Sequence, residues 1–139
     1  MQTFLPDPSY ARSARVLDRQ RLGKQRIEVL QILRAIHGLS KGWTNHPCVK
    51  LWEHHADALA SYGLAICDEW ISRGYKDTTR PKIAAFLTCH AKLPTFHASF
   101  HRAHRSLLLR KNPAHYRPHW PTLSDAIPFI WPNGLVSKS

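Results

Sequence analysis

Four cations crowd one acid in the segment from Asp18 to Glu28. Arg19, Arg21, Lys24 and Arg26 stand around Glu28 at helical spacing. A cationic helix face with an embedded carboxylate suits a protein that grips phosphates and moves protons. The same pattern also fits a solvated charged face with an ordinary helical acid. A second constellation lies later in the chain, where His97, His101 and His104 fall at i, i+4 and i+7 on one helical face. Helical His pairs chelate zinc, but the Glu of a His-Glu-x-x-His motif is missing and no carboxylate is near in sequence. No metal is therefore expected, and a polar helix surface against a DNA backbone is preferred over a His-metal nuclease. Arg102 and Arg105 adjoin that face as phosphate contacts.

Other chemistries are poorly supplied. There is no Gly-rich phosphate loop and no Ser-His-Asp order, and nine mostly isolated acids do not make a two-metal nuclease. Amine chemistry remains. An α-amine loses its proton more readily than a lysine and acts as a nucleophile near neutrality, so the N-terminal amine is a candidate, with Glu28 or a neighbour managing protons. Trp43, Trp120 and Trp131 sit in irregular, basic regions, where rings either stack on unpaired bases or plug the ends of a small helical core. The block Tyr116-Arg117-Pro118-His119-Trp120 is the best stacking candidate, because it interleaves rings with a cation.

The elements that must position these groups read as helices. Ser9 caps a short helix to about Leu17, and Asp18 caps one to about Ile36. In the latter, Leu22, Val29, Leu30, Leu33 and Ile36 recur at three- and four-residue steps. Gly38 stops it. A long amphipathic helix is expected from about Pro47 to Arg73, with Gly74 as its C-cap and Gly63 allowing close helix approach. Shorter helices follow at about 81–88 and 97–110. No strand pattern occurs, so the expected class is all-α: one domain over 1–139, with an extended arm at 1–8 and an irregular, aromatic and proline-rich tail at 112–139.

The balance of 20 Lys+Arg against 9 Asp+Glu gives +11 and a pI near 10.2. That favours a polyanionic partner, most simply DNA or RNA, with an anionic membrane surface as the competing reading. No acid lies between Asp77 and Asp125, a stretch that holds eight Lys or Arg and six His. Hydrophobic content of 43% supports a packed core. No apolar run reaches the roughly 18 residues of a membrane span, and the N-terminus lacks a signal-peptide pattern. Three widely spaced cysteines, Cys48, Cys67 and Cys89, form no disulfide framework. A monomer in the cytoplasm with reduced thiols and no cofactor is expected.

In sequence order these features resemble the pyrimidine dimer DNA glycosylase family, the phage endonuclease V-like enzymes, over nearly the whole chain. The family's Gln-His-Leu, five residues, then Glu resembles Gln20-Arg21-Leu22, five residues, and Glu28. Its Gly-His ahead of a long helix is similar to Asn45-His46. A basic turn after that helix is matched by Ser72-Arg73-Gly74-Tyr75, then Lys76-Asp77-Thr78-Thr79. His97 opens the late helix, and Pro113 to Trp120 echoes the aromatic tail.

The resemblance implies a bifunctional glycosylase and apurinic/apyrimidinic lyase that needs no metal and acts on a damaged base in duplex DNA, a cyclobutane pyrimidine dimer by default. It implies attack by an N-terminal amine on C1′, a Schiff base, and strand nicking by β-elimination. Glu28 would stabilise the cationic sugar and move protons. Arg21 and Arg26 map loosely to the family's basic residues, and Arg19, Lys24, His46, His97, Arg102, Arg105, Tyr116, Arg117 and Trp120 complete the expected DNA contacts. Three positions depart: Arg21 stands where the family has His, Ile27 where it has Arg, and Gln2 is large enough to keep Met1, whose amine is then the nucleophile with Lys24 as fallback. A non-catalytic DNA-binding module on the same scaffold is the rival reading.

Overall fold

The computed structural model describes residues 1–42, 44–89, 91–92 and 94–131. Among them are seven helices and no strand, so the fold is all-α. Helix α1 (Tyr10–Val16) leads through Leu17 and Asp18 into α2 (Arg19–Ile36). The Ser9 side chain accepts from Arg12 N–H and the Asp18 side chain from Arg21 N–H. Each cap satisfies a donor that a helix start leaves unpartnered, worth roughly 1 kcal/mol. Past the end of α2, Gly38 takes φ +72°, a left-handed conformation that costs glycine little. These boundaries are the ones the sequence predicts.

The expected long helix is instead two: α3 (Pro47–Trp52) and α4 (Ala56–Ser72). His55 leaves helical geometry at φ −136°, ψ 41°, and its N–H turns back to the Trp52 carbonyl at 2.8 Å. Sequence gave no warning, because no Gly or Pro marks the break and the apolar steps run through it. The break frees α3 to carry Trp52 under the N-terminal arm, where its indole N–H donates to Thr3 Oγ1 at 3.0 Å. α4 meanwhile packs along α2 and α1. A Cβ at Gly63 would lie 2.6 Å from Val29 Cγ1, so the close approach expected at that glycine is present.

Helix α5 (Arg80–Ala84) is shorter than expected, and α6 (Ala98–Lys111) begins one residue after its cap, His97. The segment expected to be irregular contains a single helical turn, α7 (Pro113–Tyr116). Beyond it the chain runs without regular helix or strand to Trp131, which is buried with Phe129 against the core. Trp43 and tail residues 132–139 lie outside the described residues. No described helix is long and apolar enough to cross a membrane.

Candidate active site at the N-terminal arm

The arm is held beside α2, and one cavity of about 540 Å³ opens where its first residues meet that helix. Met1, Glu28, Arg21, Lys24 and His46 line it, so the structure brings these five expected site residues together. Such a volume is within the range of small-molecule sites, roughly 300–1,000 Å³. Glu28 is 8% exposed. Its Oε2 accepts from Gln2 N–H at 2.6 Å, and Oε1 lies 3.6 Å from Lys24 Nζ. The carboxylate therefore both anchors the arm and faces the cavity.

His46 caps α3, its Nδ1 accepting from Cys48 N–H at 3.0 Å, and meets Trp131 edge-on at 6.3 Å. Burial, and then the Met1 ammonium, hold its imidazole below the ordinary value, while Glu28 opposes them. Arg21 is steered by a relay. Tyr116 Oη accepts from Asp18 N–H at 3.0 Å and donates to Asp18 Oδ1, and Asp18 pairs with Arg21 at 3.4 Å. Burial acts to raise the Asp18 carboxyl, but Tyr116 and Arg21 outweigh it and keep the group below its usual range. Cys48 is fully buried, and burial pushes its thiol up to about 12.

Several expected contacts stand elsewhere. Arg26 is outside the cavity. Its guanidinium pairs with Asp77 at 2.5 Å and lies 4.4 Å from the Trp70 ring centroid, so it is not a free phosphate ligand. His101 and His104 are buried rather than a polar surface. His104 Nδ1 accepts from Leu5 N–H at 2.6 Å, and His101 Nδ1 bonds the Leu5 carbonyl at 2.8 Å. The shared face was legible, but its direction, toward the arm, was not. Among the described residues no group of three or more His, Cys, Asp or Glu is placed to hold a metal ion.

Tyr116 is fully buried, so its ring has no face for a base, and Arg117 donates to the carbonyls of Trp120, Pro121 and Leu123. The stacking block is thus mostly internal structure. Trp120 is half-buried and stacks on Tyr116 at 5.5 Å. Arg105 donates to the Pro6 carbonyl at 2.7 Å, whereas Arg19, His97 and Arg102 are exposed on the surface.

The sequence reading missed Gln2, Gln25 and Lys111, all of which line the cavity. Gln25 had a signal, because it precedes Glu28 by three residues and so shares its helix face. Lys111 had none, as it reaches the site from the far end of α6. Burial, then Arg21, Lys24 and Arg110, push its amine below the ordinary lysine value.

The site therefore puts an N-terminal amine, a buried carboxylate and a cationic rim in one cavity. The family model for pyrimidine dimer DNA glycosylase matches residues 1–82. The chain belongs to the pyrimidine dimer DNA glycosylase family. No match was found among curated proteins or among solved structures. The match contains the arm, α2 and α4, and with them Met1, Glu28 and His46. α6 and the tail lie beyond it, although this pyrimidine dimer DNA glycosylase family member uses Leu107, Lys111 and Trp131 from that region to close its cavity.

Proposed function

We propose that the protein is a DNA repair glycosylase with apurinic/apyrimidinic lyase activity on duplex DNA, with the cyclobutane pyrimidine dimer as substrate and Met1 as nucleophile. The observation that carries this reading is the shared cavity of Met1 and Glu28. The unprotonated amine bonds C1′ as the glycosidic bond breaks, and the departing base takes a proton. Ring opening leaves an iminium between the amine and C1′. Loss of a C2′ proton then expels the 3′ phosphate and nicks the strand, and water releases the enzyme. Glu28 faces each cationic stage, where preorganised charge is worth most, and accepts or returns protons.

Arg21, Lys24 and Lys111 supply cations at the cavity for the phosphates flanking an extruded nucleotide. Arg19, His97 and Arg102, exposed on the surface, extend contact along the duplex. The enzyme acts as a monomer and needs no metal. Buried, unpaired thiols at Cys48 and Cys67 are in keeping with a reducing cytoplasm.

The test is borohydride trapping in EDTA on duplexes carrying either a pyrimidine dimer or an abasic site. An adduct mapped to Met1 on the dimer duplex is expected. An adduct only on abasic DNA would leave a lyase with a different natural base. Tight, salt-sensitive binding with no adduct on either duplex would make the protein a non-catalytic DNA-binding module.

A further inference from the structure

The arm of residues 2–6 runs beside helices, with no strand among the described residues to pair with, yet nearly all its main-chain polar groups are met by side chains. Gln2 N–H donates to Glu28, and Gln25 Nε2 donates to the Gln2 carbonyl at 2.8 Å. Gln25 Oε1 accepts from Phe4 N–H at 2.8 Å. The Tyr62 hydroxyl donates to the Phe4 carbonyl at 2.5 Å and lies 3.0 Å from Gln25 Oε1. His104 and His101 take the Leu5 N–H and carbonyl, and Arg105 takes the Pro6 carbonyl. Thr3 N–H is satisfied by the Gln2 side chain at 3.1 Å.

Gln25 is the unusual member of this set. A primary amide presents donors and an acceptor on one planar group, so a single side chain can meet a carbonyl and an N–H at once. Bridging the carbonyl of one residue and the N–H of the residue two further on is what a residue of a neighbouring parallel strand does with its own N–H and C=O. Gln25 thus reads the arm in register. A slip of one residue would present the groups of Met1 and Thr3, which face the other way in an extended chain. A slip of two residues would move the amine by roughly 7 Å, about the width of the sugar it must reach. Because Gln25 and Glu28 are three residues apart on one rigid helix, the same element that fixes the arm also carries the carboxylate.

We propose that Gln25 is a positioning residue whose amide locks the register of the N-terminal arm, so that the Met1 amine is presented beside Glu28. The inference rests on the Met1 reading above, and it deepens that reading by naming what places the amine. Tyr62 and His104 secure the arm further along; Gln25 decides which residue faces Glu28.

Two variants and two readouts test it. Gln25→Glu keeps the shape and the acceptor for Phe4 N–H but cannot donate to the Gln2 carbonyl when ionised. Gln25→Leu removes both bonds. Each is compared with the wild type for backbone amide exchange at Phe4 and Leu5, and for the single-turnover rate of borohydride-trapped adduct at saturating abasic duplex. For Gln25→Leu the adduct rate should fall about a hundredfold, as expected for a misplaced reactant, with DNA affinity and helical content unchanged and faster exchange at both amides. Gln25→Glu should fall between it and the wild type. If Gln25→Leu does not fold, Gln25→Glu alone decides, and a wild-type rate from it overturns the lock. A rate loss that merely tracks lost affinity or lost helix also overturns it, as does unchanged exchange at Phe4 and Leu5. If the wild type itself gives no adduct, the Met1 reading fails, while the exchange measurement still decides whether Gln25 holds the arm.

Discussion

α2 and α6 look alike along the chain: each sets titratable groups among arginines at three- and four-residue steps. In space they do opposite things. α2 turns its carboxylate into the cavity and leaves Lys24 at the rim. α6 turns His101 and His104 inward onto the Leu5 backbone, where they hold the arm and meet no solvent. The arginines split in the same way: Arg21 lines the cavity, while Arg26 is committed to Asp77 and Arg105 to a carbonyl. Spacing tells which side chains share a face. What lies opposite that face decides whether they do chemistry or support.

The largest contrast should come from charge removal on α2. Glu28→Gln keeps a carbonyl oxygen for Gln2 N–H, so the arm stays in place, yet it loses the negative charge. Base release should fall roughly 10²–10³-fold or more with duplex affinity retained, measured by product formation and by binding. Equal activity would remove Glu28 from the reaction and erase the distinction between the two helices.

On α6 the expected damage is to stability and to the arm. His104→Leu leaves the buried Leu5 N–H without an acceptor, a cost of about 1–3 kcal/mol, to be read as a lower unfolding midpoint. Activity should fall with it only as far as the arm is released. A variant as stable as the wild type would mean that the His104 contact carries no weight.

Acid should act through the same residue. Burial, with a smaller contribution from His101, lowers the His104 pKa to about 3 from an ordinary histidine value. The unfolded chain therefore binds a proton that the folded chain refuses, across the range from the ordinary histidine pKa down to about 3. Stability from this group is complete above that range and is lost as pH falls through it, at up to about 1.4 kcal/mol per pH unit. Protonation would also place a second donor against Leu5 N–H. Unfolding midpoints measured across pH should show this slope, and His104→Leu should flatten it. An equally steep slope in the variant would assign the effect to other groups.

The smallest effects separate the arginines by salt. Arg21→Ala or Lys24→Ala should each lower the slope of log affinity against log salt by about one, as loss of one phosphate contact does. Arg26→Ala should leave the slope unchanged and instead cost stability through Asp77 and Trp70. A change in slope at Arg26 would mean that the Asp77 pair opens on DNA.

What the sequence made legible was local chemistry. The caps at Ser9 and Asp18, the stop at Gly38 and the close approach at Gly63 each depend on residues within a few positions or on one helix face. The break at 53–55 was hidden because its cause is the demand that Trp52 reach Thr3, not a breaker residue. The burial of His101, His104 and Tyr116 was hidden for a like reason: their partners, Leu5 and Asp18, are nearly a hundred residues away. Lys111 joins the site by the same long reach. Glu28 and Met1 were singled out through family likeness, since spacing alone slightly favoured a solvated charged face.

The bond from Leu5 to His104 spans 99 residues, and this sets an order of events during synthesis. Leu5 is synthesised well before the side chain that takes its N–H, so that end of the arm is among the last parts to find its place. A nascent protein with α1 to α4 already folded can hold Gln2 and Phe4 through Glu28, Gln25 and Tyr62 but still lacks the anchors of Leu5 and Pro6. Long-range closure of this kind is slow compared with helix formation. The last anchors of the arm thus arrive late, together with α6.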